Sequence, residues 1–573
     1  MAHKNLLLTI LILTSSFVLS QNTHFVATNG SDTSGNGTIN NPYATLQHAL
    51  WQCTAGDTIV MRGGNYTGHE IRIDLDDITI RSYENEWAVI TAPIDDPDIN
   101  FCIWYHKPEI IGGKLERLEI VGGYYYGIKL ESNWNWGYPI SERRGVSNIT
   151  IKNCIIHDTG RDCLKLTPAC NNLLIESCEI YNSGVGPANA GNPNAEGIDA
   201  VNCNNLTIKN CYIHDISTTG IYSKGGSVNT VVEGNLVMET GANGILLGFY
   251  TDEEWFDPES NPILYENIDG IARNNIVINT DHAGIGLYAA KNPRVYNNTV
   301  INAAREAHAA LFMNTGYIWV EALNDMYAPP CSDVFVFNNI FSIAESTNRP
   351  IAQIRYYEND INSNMLGDCE IDYNIYYRQN GVQFDDGISE SLLNFADWKT
   401  ATGFDTNSLD ENPDLDANYH LNSSSPAVDN GFAVESALYD YDGCTRTEPY
   451  DIGADEFNCG SILVIPPPEG VIGTGADFTT TITELRADGN FSVHLFPNPS
   501  QDLINFELYL RQNADIHIEI RDLSGRVVKK VFSGNLNGLQ NFEINTKNFV
   551  SGIYFINLQT DNNLSVYKFM IIK

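Results

Sequence analysis

Three shortages set the first bounds. Basic residues are scarce: 33 Lys and Arg stand against 71 Asp and Glu, a formal net charge of −38 over 573 residues. A surface of that sign repels nucleic acid and anionic membranes, which makes both poor partners, and no nucleic-acid partner is expected. A polyanionic substrate is compatible with it only through local cations or a bound metal. Long apolar runs are also missing. The one at residues 6–13 is too short to cross a bilayer, so no transmembrane segment is expected. Finally, familiar catalytic signatures are absent: there is no HExxH, no nucleophile elbow and no phosphate loop. Leu does not recur at the offsets of a leucine-rich repeat, and no helical stretch of useful length interrupts the repeated region.

What is present is repetition. Ile-Lys-Asn-Cys-Ile-Ile-His-Asp (151–158) returns as Ile-Glu-Ser-Cys-Glu-Ile-Tyr-Asn (175–182) and Ile-Lys-Asn-Cys-Tyr-Ile-His-Asp (208–215). The pattern continues with Asn at the Cys position. The markers are Cys154, Cys178, Cys211, Asn235, Asn275, Asn298 and Asn339, separated by 24, 33, 24, 40, 23 and 41 residues. The short gaps define a unit of about 23–24 residues and the long ones add an inserted loop, the signature of a solenoid. Within a unit, short β-branched strands with period-two alternation are cut by Gly, Asn and Asp. Three strands and three turns per coil make a right-handed parallel β-helix, in which like residues stack one strand spacing, about 4.8 Å, apart. Of the 12 Cys, those at one repeat position read as buried stacked thiols. Cys444 and Cys459, in loop-rich sequence, are the pair expected to form a disulfide. His157-Asp158 and His214-Asp215 share another repeat position and read as a structural ladder.

The chain divides into four parts. Residues 1–20 read as an export signal, with Lys4, the apolar run, and Ser15, Ser16 and Ser20 before a cut. Residues 21–457 form the β-helix, with coils from about Asp57 to Asn380. The segment Asn41-Pro-Tyr-Ala-Thr-Leu-Gln-His-Ala-Leu-Trp51 has helical spacing and would cover the first coil. Residues 458–490, with Pro466-Pro-Pro468, are a linker. Residues 491–573 change character, with Leu495-Phe-Pro-Asn-Pro-Ser500, Gly552-Ile-Tyr-Phe-Ile-Asn-Leu558 and a Tyr567-Lys-Phe-Met-Ile-Ile-Lys573 end.

Two resemblances follow from these segments. The opening, and Ser425-Pro-Ala-Val-Asp-Asn-Gly431 with Asp451-Ile-Gly-Ala-Asp-Glu-Phe457, resemble the cap and closing segment of secreted β-helix polysaccharide lyases. The last 80 residues resemble the type IX secretion sorting domain of Bacteroidetes. That resemblance implies a small β-sandwich that engages the type IX secretion machinery, and hence a secreted or cell-surface protein.

Charged residues recur at comparable places in three coils: Gly160-Arg-Asp-Cys-Leu-Lys-Leu166, Ala195-Glu-Gly-Ile-Asp-Ala-Val201 and Thr219-Gly-Ile-Tyr-Ser-Lys-Gly-Gly226. One coil per step puts Asp162, Lys165, Glu196, Asp199 and Lys224 on one face. Loops at 184–195 and 249–267 flank it, the second bearing Tyr250, Trp255, Phe256 and Tyr265, and such walls suit sugar rings. The set suits removal of the C5 proton of a uronic acid: a cation neutralises the carboxylate and a base takes the proton. Asp162, Glu196 and Asp199 offer hard oxygen ligands for Ca²⁺, leaving Lys224 as base, with Lys165 beside it. Glu196-Gly-Ile-Asp199 and 220–226 are similar to the Ca²⁺-binding and lysine segments of family 9 pectate lyases. Glu replaces one Asp, and the Lys is shifted along its strand. The alginate and chondroitin lyases of family 6, which pair a Lys base with an Arg one coil later, are the second comparison; Arg273 is the nearest Arg available here. Asp281-His282 and His308 lie near the groove line. The reading is therefore a monomeric, exported enzyme that cleaves acidic polysaccharide by β-elimination. The alternatives are a uronate dehydratase or epimerase using the same base, an inverting glycoside hydrolase using paired carboxylates, and a non-catalytic glycan-binding protein.

Overall fold

A computed structural model describes residues 21–134, 142–191, 193–356, 369–434, 437–458, 491–496, 503–522, 526–550, 552–559 and 564–571. The proposed export signal, the linker and Cys459 lie outside them. Three parallel sheets, of twelve, eleven and eleven strands, wind through residues 23–385 as a right-handed β-helix. The strands alternate as expected: in Leu206–Lys209, Leu206 and Ile208 are buried while Thr207 and Lys209 are partly exposed. The inward residues of all coils join one continuous apolar core. The solenoid begins earlier than the repeat indicated, because Thr23–Val26 already pairs in parallel with Thr58–Met61. The helix Leu46–Gln52 covers the first coil, with Thr45 accepting from the His48 amide at its N-terminus.

The repeated doublet ahead of each marker has a conformational cause. Asn153, Ser177, Asn210, Gly234, Asn274, Asn297 and Asn338 all have φ between 52° and 63°. Asn and Gly tolerate that left-handed state best, which is why they recur there. The marker residue that follows turns inward. Cys154, Cys178 and Cys211 are buried thiols. From Asn235 onward the column becomes an amide ladder: Asn235 Nδ2 donates to Asn275 Oδ1 (3.0 Å), Asn275 to Asn298 (3.0 Å), Asn298 to Asn339 (2.9 Å) and Asn339 to Asn374 (3.0 Å). Each side-chain oxygen also accepts the backbone N–H of the rung before it, as Asn275 Oδ1 does from Asn235 N (3.0 Å). The histidine ladder is present on the third sheet, where Tyr181 is stacked between His157 and His214 at 4.6 and 4.8 Å.

The far end differs from expectation. The helix Phe395–Thr402 covers the last coil, placing Trp398 against Phe384 with its indole N–H on Asp405 (2.8 Å). The supposed closing segment instead runs back as a strap along the flank of the middle coils. There Arg446 is buried, donating to Asn274 Oδ1 and Glu456, and Asn297 donates to the Asp451 and Gly453 carbonyls. Outward-facing Ile276, Ile278, Ile340 and Ile375 are covered by Tyr441, Ala454, Leu421 and Ile452. Cys444 is disulfide-bonded. The C-terminal strands Phe491–Phe496, Leu503–Asp522, Val527–Asn545, Gly552–Gln559 and Leu564–Ile571 are antiparallel around a separate apolar core. No helix among the described residues is long and apolar enough to cross a membrane.

Candidate active site

One eleven-stranded sheet carries the charged column, through strands Leu164–Leu166, Ile198–Val201, Ile221–Lys224, Ile245–Leu247, Ile285–Tyr288, Leu311–Asn314 and Ala352–Arg355. Register sets Lys165 beside Asp199, and Asp199 beside Tyr222. Leu164, Ile198, Ala200 and Ile221 face the core, so alternation turns Lys165, Asp199, Tyr222 and Lys224 to the outer face. Asp162 and Glu196 stand just before their strands, and Glu196 N donates to Asp162 Oδ1 (3.3 Å). The stack thus brings together Asp162, Lys165, Glu196 and Asp199, with Lys224 one rung on.

The three carboxylates are almost fully buried. Burial, then the Glu196 charge, pushes Asp162 well above the usual carboxylate range. Burial and Asp199 raise Glu196. Burial alone would raise Asp199 as well, but the charges of Lys165 and Lys224 outweigh it and hold this carboxyl low. Lys165 is ion-paired to Asp199 and lies 3.8 Å from Asp162. These two carboxylates hold its ammonium charged against the cost of burial.

This donor set fits a calcium ion. One oxygen from each of Asp162, Glu196 and Asp199 lies within 4.8 Å of the others, about the widest separation two ligands of one Ca²⁺ can have. Asp162 Oδ2 and Asp199 Oδ1 are buried acceptors without a hydrogen-bond partner, as ligand atoms awaiting a cation would be. Lys165 supplies the positive charge in their place. The same closeness argues against the inverting-hydrolase reading, whose carboxylates need about 6.5–9.5 Å for a water.

Lys224 Nζ donates to the Tyr250 carbonyl (3.3 Å) and lies over the Tyr222 ring (4.6 Å). It has no carboxylate within 4 Å among the described residues. Glu266, missed in the sequence, buttresses it. This buried carboxylate accepts from Gly225 N (2.7 Å) and Thr251 Oγ1 (2.6 Å), fixing the residues that follow Lys224 and Tyr250. Burial pushes its carboxyl up to about 7. Gly248 starts the 249–267 loop at φ +92°, where a Cβ would lie 2.0 Å from the Tyr288 carbonyl oxygen, so only glycine fits.

Lys224 and Tyr250 line two open cavities. One, of about 410 Å³, is walled by Trp255, Tyr317 and Trp319; the other, of about 630 Å³, by Glu196, His282, His308 and Arg355. The loop aromatics divide between roles: Tyr250 lines the groove, Phe256 is buried, and Trp255 stacks on Trp134 at 3.9 Å. His282 is therefore in the groove. Arg273 is not. It ends a strand of the twelve-stranded sheet and pairs with Glu233 (2.5 Å). That position cannot follow a Lys224 base along the groove.

Comparison with known proteins agrees with the architecture. Residues 144–365 match the family model described as right handed beta helix region, and residues 494–573 the one described as secretion system C-terminal sorting domain. The chain is thus a parallel β-helix protein with a type IX sorting domain. Similar solved structures include pectate lyase Pel9A, at 14% identity and TM-score 0.42, covering 77% of this chain and 97% of that one. A rhamnogalacturonan lyase has 12% identity and TM-score 0.42, covering 75% and 95%. The A-module of mannuronan C-5 epimerase AlgE4 from Azotobacter vinelandii has 12% identity and TM-score 0.34, covering 59% and 87%. No curated protein matches the chain.

Proposed function

We propose that this is an exported enzyme that removes the C5 proton of a uronic acid in an acidic polysaccharide and expels the 4-linked sugar by β-elimination. The carrying observation is the outward column itself. A lysine without a carboxylate partner among the described residues, Lys224, stands one rung from Glu196 and Asp199 and two from Asp162, in a groove walled by aromatic rings. The proton beside a carboxylate becomes removable when the charge forming on that carboxylate is neutralised. A Ca²⁺ held by Asp162, Glu196 and Asp199 would supply that neutralisation; without it the Lys165 ammonium stands against Asp162 and Asp199. Tyr222 and Tyr250 flank Lys224, so a sugar ring stacked along the groove would present one face to the amine. Lys224 takes the proton, the C4–O4 bond breaks, and the leaving oxygen is protonated from the groove.

The test is to incubate the full mature chain with pectate, alginate and glucuronan, with and without EDTA. Ultraviolet absorbance of an unsaturated uronate together with chain shortening is the expected result. The same chromophore with loss of water and no shortening would make it a dehydratase. New reducing ends without the chromophore would make it a hydrolase and overturn the reading.

A further inference from the structure

The far wall of the larger cavity holds a second constellation. The Tyr250 hydroxyl oxygen accepts from Asn314 Nδ2 (2.9 Å) and Arg355 Nη2 (3.2 Å), and Arg355 Nε donates to Asn314 Oδ1 (3.2 Å). The guanidinium lies over the Phe312 ring at 4.7 Å. On the same ring, His308 is stacked in parallel at 4.3 Å, with His282 5.0 Å beyond it. Burial and the Arg355 charge keep the His308 imidazole neutral, its pKa pushed down to about 3.

Two features of this cluster point outward. Arg355 makes no ion pair among the described residues, although acidic side chains outnumber basic ones two to one in this chain. The Tyr250 oxygen, already accepting from two donors, keeps its own O–H free to donate. A planar, positively charged fork beside a hydroxyl donor, with a buried ring backing the guanidinium, suits a carboxylate.

We infer that Arg355 and the Tyr250 hydroxyl, held in place by Asn314, form a carboxylate-binding subsite for a second uronate unit of the same chain, apart from the sugar at Lys224. This rests on the reading of the groove as a polyuronate site. Register separates the two positions. Arg355 ends the strand four rungs beyond that of Lys224, about 19 Å of backbone along the axis. Tyr250 links the two side chains, its carbonyl on Lys224 and its hydroxyl on Arg355, so their tips approach more closely than their backbones do. The enzyme would therefore read negative charge at two points of its substrate and discriminate against chains whose carboxyls are esterified or reduced.

Calorimetric titration of the full chain in EDTA tests this without requiring turnover. The probes are saturated hexamers of galacturonate, mannuronate and guluronate, and each hexamer after carboxyl reduction. The wild type should bind at least one acidic hexamer and bind its reduced form more weakly. Arg355→Met should weaken the acidic hexamer about 10-fold or more and leave the reduced one unchanged. Arg355→Lys, which keeps the charge but loses the fork, should fall between. No binding of any acidic hexamer, equal binding by Arg355→Met and wild type, or equal weakening of acidic and reduced hexamers would each overturn the subsite. If the binding pattern holds while no unsaturated product forms from any polymer, the subsite stands and the elimination reading falls. If unsaturated product forms while Arg355→Met binds like wild type, the elimination reading stands and the subsite falls.

Discussion

Replacing Lys165 by Met tests whether its ammonium stands where a cation belongs. The methionine fills a similar volume but leaves Asp199, fully buried, without its ion-pair partner, and removes the charge 3.8 Å from Asp162. Breaking a buried pair from one side costs about 3–5 kcal/mol. The Lys165 side chain keeps 21% of its exposure, so the lower end, about 3 kcal/mol at pH 7, is expected. The pH dependence must weaken. In the wild type the Asp199 carboxyl is held low, so its stabilising contribution is present above the ordinary carboxylate pKa and is lost as pH falls through the lowered one. In the variant Lys224 and Tyr222 still oppose burial but Lys165 does not, so that carboxyl rises from its wild-type position and the loss of stability in acid shrinks. Calcium should then stabilise the variant more than the wild type, because no ammonium competes for the three carboxylates. At 100 times the dissociation constant the gain would be about 2.7 kcal/mol, nearly restoring the loss. Denaturant unfolding of both proteins at pH 4.5 and 8, with EDTA and with Ca²⁺, measures all of this. Equal destabilisation at both pH values, with no extra calcium effect in the variant, would refute the cation-site argument.

Lys224→Ala should lower the elimination rate by about 100-fold or more while circular dichroism and the unfolding midpoint stay close to wild type; an active variant removes Lys224 as the base. Asn275→Ala orphans the buried Asn235 N–H and one of its amide hydrogens, each costing about 1–3 kcal/mol. Asn275→Cys, which copies the ladder at Cys211, should cost less, and hydrogen exchange over residues 231–280 would separate the two. Asp442 raises the His420 pKa to about 9, above its unfolded value near 6.5. Its contribution is therefore complete below about pH 6.5 and lost as pH rises through 9. The unfolding midpoint should fall between pH 7 and 9.5, and His420→Gln should flatten that fall.

The coil and the acidic cluster were legible in the sequence because a β-helix turns sequence offset into spatial position. Asp162 and Lys165 follow the marker Cys154 by eight and eleven residues, and that offset selects the groove-bearing strand. The same rule would have excluded Arg273, which sits two residues before Asn275 and so on another sheet. The preference of Lys165 for Asp199 was not legible, because the 184–195 insertion hides the register by which those residues meet. Arg355 and Asn314 each lie 16 residues past a marker, Asn339 and Asn298, so the same offset rule pairs them, but one Arg beside an Asn carries no charge pattern of the kind that marks the acidic cluster. Glu266 had no pattern at all: its role comes from burial beneath a turn, which is a tertiary property. The strap was misplaced because its motif says only that something is covered, not which surface.

That strap sets the load path of the molecule. In a simple solenoid a pull at the carboxyl end peels the terminal coil first and then the next, like unwinding a spring. Here residues 420–457 are anchored through Arg446, Asn274 and Asn297 to coils well inside the stack, and the C-terminal domain is attached beyond that anchor. Tension applied through the tail is delivered sideways to the middle of the spiral, where many bonds must shear together, so the outermost coil is spared from unzipping.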